Sequence, residues 1–262
     1  MSGCVTLEQT GAVAQVTLRH AGKMNAMSRA MWRELKAVFD AIAKAGDLRC
    51  VIVSGAGGHF CAGGDIAEYP AFRFDEAALR DFHETDVWGA LDAMLACDLP
   101  LLAQIDGNCM GAGVEIASCC DIRVAGASAK FGAPIARLGF PMAPREAQLV
   151  ASAVGLATAR EMLLEAAVLD AQAMAARGFL NAVVADETVQ LDVQRRVQRI
   201  VTLAPQAARL NKQTLRALQT ATCGTANGPA MDALVQGAYA YADSAEHREG
   251  IAAFLGKRKP DF

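Results

Sequence analysis

The sequence predicts an α/β fold in which a strand-and-helix core precedes a C-terminal helical region. Short runs rich in Val, Ile and Leu alternate with amphipathic stretches as far as residue 185, an order typical of a mostly parallel sheet or of stacked βαβ units. From about residue 187 onward the strand signals end and helical patterns dominate. We therefore expect a core domain over residues 1–195 and a helical region over residues 196–262.

Six strands are predicted from short runs of β-branched and other apolar residues. The first two are joined at Gly11 and are typical of a hairpin-like start, whereas the run Cys-Val-Ile-Val-Ser that begins at Cys50 is typical of a buried strand. In chain order, the predicted strands cover 4–8, 12–19, 50–54, 101–105, 122–125 and 182–185.

Helices are predicted where apolar residues recur at a spacing of three or four. Ser28 is suited to cap the first of them, and the second ends before Pro100 because the residue before a proline disfavours helix. In chain order, the predicted helices cover 28–44, 76–96, 145–154, 157–165, 171–176, 187–203, 205–221, 229–242 and 244–256.

The composition excludes several classes of function. The chain of 262 residues is 53% apolar and carries a formal net charge of -3, with its one dense basic run at residues 257–259, so we expect no nucleic-acid partner. It has no long apolar segment and no basic stretch followed by an apolar one near its start, so we expect no membrane partner and a cytoplasmic location. Eight cysteines without metal-ligand spacing predict buried apolar side chains and no metal site.

A first glycine-rich segment covers residues 55–66 and directly follows the strand at 50–54. Two interpretations stay open. The segment suits a sharp connection from strand to helix, with Asp65 as an N-cap, and it equally suits a loop whose main chain approaches a ligand closely.

A second glycine-rich segment, residues 106–121, opens an apolar helix with Glu115 in its first turn. The free N–H groups of a helix start are suited to hold developing negative charge, and Glu115 beside them is a candidate proton-transfer group. A capping or surface carboxylate is the alternative for Glu115. A dinucleotide fingerprint is disfavoured because Ile116 stands where the third glycine of Gly-x-Gly-x-x-Gly is required.

Taken together, these segments resemble the enoyl-CoA hydratase/isomerase (crotonase) superfamily. The resemblance rests on ordered motifs along nearly the whole chain: Asn-Ala-Met at 25–27, the run at 60–66, the block at 111–121, Phe-Gly-Ala-Pro at 131–134, Arg-Glu-Gly at 248–250, Phe254 and the run at 257–260. It implies a core of repeated ββα units with two roughly perpendicular sheets. It further implies that the C-terminal helical region mediates trimerisation, in a homotrimer or a dimer of trimers.

The resemblance also implies an acyl-CoA substrate, with coenzyme A entering as part of the substrate and no prosthetic group. The backbone N–H groups of Gly64 and Ala112 would form an oxyanion hole, and Glu115 would act as acid and base. The residues that resemble CoA-binding positions are Lys23, Ala26, Ala62, Gly64, Asp65, Ile66, Phe254 and Lys257, the last two often reaching CoA across subunits.

The chain departs from the family at Ile135, where hydratases carry a second glutamate directly after the Phe-x-x-Pro motif. Efficient two-glutamate hydration is therefore in doubt. Glu146 and His83 are candidates to replace the missing acid, although Glu146 suits a structural role in a helix's first turn, where Arg145 is a possible partner.

Four functions stay open on these residues: hydration with a replacement acid, isomerisation by Glu115 alone, another acyl-CoA reaction such as decarboxylation, hydrolysis or retro-aldol cleavage, and acyl-CoA binding without turnover.

Asp121 matches an aspartate of the family that we interpret as structural. The aromatic residues of the segment expected to cover the acyl group favour an apolar or aromatic acyl group, or else core packing; they are Tyr69, Phe72, Phe74 and Phe82.

Overall fold

The computed structural model describes residues 2–221, 235 and 238–262. The strands are β1 Cys4–Thr10, β2 Val13–Arg19, β3 Cys50–Gly55, β4 Leu101–Ile105, β5 Asn108–Met110, β6 Ile122–Gly126, β7 Lys130–Gly132, β8 Val168–Asp170 and β9 Ala182–Val184. The α-helices are α1 Arg29–Ile42, α2 Glu76–Asp81, α3 Trp88–Ala96, α4 Ala112–Ser118, α5 Pro144–Val154, α6 Leu156–Leu164, α7 Ala171–Ala176, α8 Val189–Val201, α9 Pro205–Ala221 and α10 Ala245–Leu255. Short 3₁₀ helices cover Ile66–Ala71, Pro134–Leu138 and Asp186–Thr188.

The six strands predicted from the sequence form one sheet, in the order β1-β2-β3-β4-β6-β9. β1 and β2 are antiparallel, and the other neighbours are parallel. A second sheet contains β5, β7 and β8, each three residues long, which is too short for an alternating pattern to be recognised in the sequence. The prediction of an α/β fold with two sheets is confirmed.

Alternation along β3 explains how the larger sheet is covered on both faces. Val51 and Val53 pack into the main core with the apolar side of α1, whereas Cys50 and Ile52 pack against the valines of α8 on the opposite face. Because successive strand residues point to opposite faces, a continuous apolar run indicates a strand that is buried on both.

The segment predicted as one helix over 76–96 is helical throughout, but its middle is a π turn. Residues Phe82–Val87 form this turn between α2 and α3. Ser28 caps α1 as predicted, since its Oγ accepts a hydrogen bond from the N–H of Met31 at 3.2 Å. The helix predicted over 229–242 falls mostly outside the described residues, and residues 238–242 at its end form a turn.

Helix α9 is anchored to the core by polar contacts of Lys212. Lys212 of α9 donates a hydrogen bond to the carbonyl oxygen of Leu99 at 2.7 Å, and its Nζ lies 2.8 Å from Oδ2 of Asp121. Asp121 also accepts from the N–H of Leu101, so it joins α9 to the start of β4. This contact fits the structural interpretation of Asp121.

The predicted boundary between residues 195 and 196 falls inside α8. The buried valines of this helix lie on both sides of the boundary, Val189 and Val193 before it and Val197 after it, and all three pack on the larger sheet. The division of the chain into two regions stays a prediction.

Over the described residues, no helix is long and apolar enough to cross a membrane, and no group of three His, Cys, Asp or Glu side chains is arranged to hold a metal ion. The seven cysteines in that part of the chain are all free, and six of them are buried.

Candidate active site

The two glycine-rich segments lie in direct backbone contact. The N–H of Cys61 donates to the carbonyl oxygen of Asn108 at 2.9 Å, and the N–H of Met110 donates to the carbonyl oxygen of Cys61 at 2.8 Å. A Cβ on Gly113 would lie 2.6 Å from that same oxygen of Cys61, so only glycine lets α4 approach the loop this closely. These hydrogen bonds and the glycine at position 113 hold the start of α4 against residues 61–64.

Two N–H groups of these loops are left free by the local geometry. Met27 pairs with both neighbours of Gly64, donating to the carbonyl oxygen of Gly63 and accepting from the N–H of Asp65, both at 2.8 Å. Gly111, at φ +48°, turns the chain into α4, which begins at Ala112. Within the described chain, neither the N–H of Gly64 nor that of Ala112 has a hydrogen-bond acceptor.

A cavity of about 350 Å³ lies between these loops and α5. Five of the residues predicted as the oxyanion hole, the acid–base group or CoA contacts line it: Ala62, Gly64, Ile66, Ala112 and Glu115. The carboxylate and the two loop segments are therefore brought together at one place.

Five other residues predicted to bind CoA do not line this cavity. Asp65 is buried and caps the 3₁₀ helix Ile66–Ala71 by accepting a hydrogen bond from Ala67, and its Oδ2 lies 2.6 Å from Nζ of Lys23. Ala26 is buried, and its carbonyl oxygen lies 2.7 Å from Nδ1 of His20. The remaining two, Phe254 and Lys257, are exposed at the end of α10 and just beyond it.

Glu115 is buried in the first turn of α4, and it faces the cavity. Burial raises the pKa of its carboxyl well above the ordinary value of 4.5, and the negative charge of Glu146 raises it further. None of the described groups forms a hydrogen bond with this carboxyl. A carboxyl kept protonated in such a site is suited to deliver a proton.

Glu146 and His83 form a second polar pair in the same cavity. Glu146 lies in the first turn of α5 and is buried, and its Oε1 lies 2.9 Å from Nδ1 of His83 in the π turn. The alternative partner considered for Glu146 is wrong, because Arg145 forms an ion pair with Glu84 at 2.9 Å. Ile135, at the position of the missing glutamate, contributes an apolar side chain to the wall.

The aromatic residues of the covering segment divide into two groups. Tyr69 and Phe82 line the cavity, and Phe72 packs behind them with its ring centroid 4.6 Å from that of Phe82. Phe74 is 88% exposed, so the expectation that it covers the acyl group or packs in the core is wrong.

Arg73 is a charged cavity residue that the sequence reasoning did not single out. Arg73 lines the wall, with its guanidinium carbon 3.5 Å from the ring centroid of Phe140 and 4.6 Å from that of Tyr69. The spacing of four between Tyr69 and Arg73 is a weak signal that places both on one side of a helical turn. Phe140 lies on a different segment, and only the fold brings it to this arginine.

Comparison with known proteins decides the family. The family model described as enoyl-CoA hydratase/isomerase matches residues 8–262. The chain belongs to this family. Among the family's curated members, 2,3-dehydroadipyl-CoA hydratase from Escherichia coli is 31% identical over 95% of this chain and 94% of its own length. The short-chain-enoyl-CoA hydratase from Clostridium acetobutylicum is 29% identical over 97% and 95%.

Solved structures of the family have the same fold. An enoyl-CoA hydratase/carnithine racemase from Magnetospirillum magneticum superposes with a TM-score of 0.93 at 36% identity, covering 100% of this chain and 96% of that one. Pseudomonas aeruginosa AtuE superposes with a TM-score of 0.88 at 31% identity, covering 98% of each chain. The crotonase fold is therefore established for this member of the enoyl-CoA hydratase/isomerase family, which acts on CoA thioesters.

Proposed function

We propose that this protein is an enoyl-CoA hydratase that uses Glu115 together with Glu146 and His83. The observation that carries the proposal is that Glu146, hydrogen-bonded to His83, lines the same cavity as Glu115. Hydration of a conjugated thioester requires one group that takes a proton from water and one that supplies a proton to the α-carbon. Two acid–base groups are thus available although position 135 carries an isoleucine.

The N–H groups of Gly64 and Ala112 receive the thioester oxygen in this proposal. When water adds to the β-carbon, the electrons of the α,β double bond move toward the thioester carbonyl, and negative charge develops on its oxygen. The two fixed N–H donors stabilise this charge. One such donor is typically worth ~3–4 kcal/mol, or roughly a hundredfold or more in rate. Alanine at position 112 is compatible with this role because the donor belongs to the backbone and Gly111 takes the unusual backbone angles.

The protons follow two separate routes in the proposed reaction. Glu146, oriented by His83, accepts a proton from water while the water oxygen bonds to the β-carbon. Glu115, whose protonated form is favoured by burial, gives its proton to the α-carbon as the enolate collapses. Dehydration runs through the same steps in reverse, with each group in the opposite role.

Coenzyme A is proposed to reach the cavity past the segment that includes Lys23, Ala26 and Ala62, with Asp65 holding Lys23 and with Ile66 at the cavity edge. Phe254 and Lys257 are proposed to contact CoA in a neighbouring subunit of a homotrimer or a dimer of trimers. Their exposure leaves them free to do so. Analytical ultracentrifugation with and without CoA tests the assembly.

Isomerisation is the second candidate, and Ile135 favours it. With an apolar side chain at position 135 of the cavity, Glu115 acts as a single base that moves a proton between two carbons on the same enolate face. In that case Glu146 and His83 have a structural role, and conversion of 3-enoyl to 2-enoyl esters proceeds without added water.

The test uses purified protein with matched 2-enoyl-CoA and 3-enoyl-CoA esters of short, medium and aromatic chains. The absorbance of the conjugated thioester is followed, and products are identified by mass. Loss of conjugation with a mass gain of one water supports hydration, whereas gain of conjugation at unchanged mass supports isomerisation. Loss of carbon dioxide, free acid or cleavage fragments would overturn both in favour of another reaction of the family.

A further inference from the structure

Arg73 is a positive charge on the cavity wall without an anionic partner. Among the described residues, no carboxylate lies within 4.0 Å of its guanidinium and no acceptor receives a hydrogen bond from it. The other arginine on the wall, Arg137, donates to the carbonyl oxygen of Ala166 at 3.3 Å. Arg73 therefore differs from its neighbour in keeping its N–H groups available.

Two aromatic rings hold this guanidinium in place. Its central carbon lies 3.5 Å from the centroid of Phe140 and 4.6 Å from that of Tyr69, whose rings meet edge-on at 5.8 Å. The backbone of Arg73 is fixed as well, since its N–H donates to the carbonyl oxygen of Tyr69 at 2.8 Å and Phe72 beside it is buried. The Phe140 ring covers one face of the guanidinium and the Tyr69 ring borders it, so the N–H groups that no described acceptor engages stay available to a ligand.

The charges of the cavity do not neutralise Arg73. Glu146 is hydrogen-bonded to His83, and Glu115 is held toward its protonated form by burial. Burial also lowers the pKa of Arg73, so its charge has lost part of its solvation without gaining a bonded anion. Arg73 is only half-buried, so its unpaired charge is tolerated beside solvent and remains available to an anion that enters the cavity.

The position of Arg73 points to the acyl group and away from the CoA phosphates. Its stacking partner Phe140 lies two residues after the 3₁₀ helix that carries Ile135, and both Ile135 and Glu146 line the same cavity as Arg73. Lys23 and Asp65, which are predicted to bind CoA and pair with each other, do not line this cavity.

We propose that the acyl group of the substrate ends in a carboxylate and that Arg73 binds it through a bidentate pair of hydrogen bonds. The substrate class is the monothioester of an unsaturated dicarboxylic acid with CoA. This inference rests on the proposed function for the position of the reacting bond, but the recognition of the carboxylate is measurable without turnover.

The experiment measures binding and turnover of the intact protein on matched esters. Succinyl-, glutaryl- and adipoyl-CoA are compared with butyryl-, pentanoyl- and hexanoyl-CoA by calorimetry, and free CoA is titrated in parallel. The 2-enoyl forms of the five- and six-carbon pairs are compared for kcat/KM. We expect the carboxylate-ended ester of at least one length to bind about tenfold to a hundredfold more tightly than its methyl-ended partner, as charge-assisted hydrogen bonds predict.

Variants assign this preference to Arg73. Arg73→Met removes the charge but keeps an apolar side chain of similar length, and it should reduce the binding ratio to near one. Arg73→Lys keeps the charge without the planar fork and should retain part of the ratio. Arg80→Met is the matched control, because Arg80 is exposed, pairs with Glu76 and does not line the cavity. Arg80→Met should leave the ratio unchanged.

Three outcomes would overturn the inference: equal binding of both classes at every length, a preference that survives in Arg73→Met, and an equal loss of affinity for free CoA, which would assign Arg73 to a phosphate. If the preference depends on Arg73 but no 2-enoyl ester gains water, the proposed hydration fails and the specificity stands. If hydration proceeds but carboxylate-ended esters are not preferred, the proposed hydration stands and the inference about Arg73 fails.

Discussion

The floor and the wall of the cavity are built in different ways. The floor consists of the backbone N–H groups of Gly64 and Ala112. Hydrogen bonds between the loop at Cys61 and the segment before α4 fix their positions. The wall consists of side chains from separate elements, with His83 in the π turn, Glu146 in α5 and Ile135 in a 3₁₀ helix. Because the floor is made of backbone groups, the side chain at position 112 can change without loss of the donor. Because the wall is made of side chains, a carboxylate missing at position 135 can be supplied from another position, here by Glu146.

Replacing Glu115 by Gln should have the largest effect on activity. The amide cannot deliver a proton to the α-carbon, so we expect kcat to fall about 10²–10⁴-fold on the preferred ester. Steady-state kinetics check this, with the exposed Glu8→Gln as the matched control. Full activity of Glu115→Gln on every accepted acyl-CoA would contradict the role of Glu115.

Removing the N–H of the floor at Ala112 should cost about 10²–10³-fold in kcat. Ala112→Pro does this at the first position of α4, where proline is tolerated because that N–H makes no helical hydrogen bond. Ala112→Ser keeps the donor and should lose far less. If both variants lose activity equally while both remain folded by circular dichroism, crowding and not the donor explains the loss.

Glu146→Gln separates the two candidate reactions. We expect hydration to fall about a hundredfold or more, because water loses its base, while exchange of α-protons of a saturated acyl-CoA with D₂O continues through Glu115. Mass spectrometry follows the exchange, and absorbance follows hydration. Equal loss of both activities would mean that Glu146 acts on the enolate itself or supports the fold, and thermal unfolding distinguishes these.

A side chain at Gly113 should weaken the contact between the two loops. The Cβ of Gly113→Ala would lie 2.6 Å from a backbone oxygen of Cys61, which cannot move as freely as a side chain. We expect a loss of about 1–3 kcal/mol in the free energy of unfolding. Denaturant titration measures it, and Gly46→Ala, where nothing lies within 4 Å of the added Cβ, serves as control.

The smallest predicted effect is on stability as a function of pH. Folding raises the pKa of Glu115 above its ordinary value of 4.5, so the unfolded chain releases this proton at a lower pH than the folded chain. The free energy of unfolding therefore falls as pH rises from about 4.5 toward the raised pKa. Glu115→Gln removes this loss. Its Tm should match the wild type near pH 4 and exceed it by a few degrees at neutral pH. A lower Tm for the variant at neutral pH would contradict the burial argument.

The larger sheet could be predicted from the sequence because its strands are short runs rich in β-branched and other apolar residues. The smaller sheet could not, since β5, β7 and β8 have three residues each and depend on pairing partners distant in the chain. The π turn was also missed, because the 76–96 segment has ordinary helical spacing and the extra residue per turn leaves no local pattern.

The sequence by itself determined the α/β class, the two glycine-rich segments and the placement of Glu115 at a helix start, because these depend on backbone conformation and local spacing. The tertiary structure alone decided that Glu146 meets His83, that Arg145 pairs with Glu84 and that Arg73 lies between Tyr69 and Phe140. Such partners are separated by up to about seventy residues, and their meeting follows from how helices pack on the core.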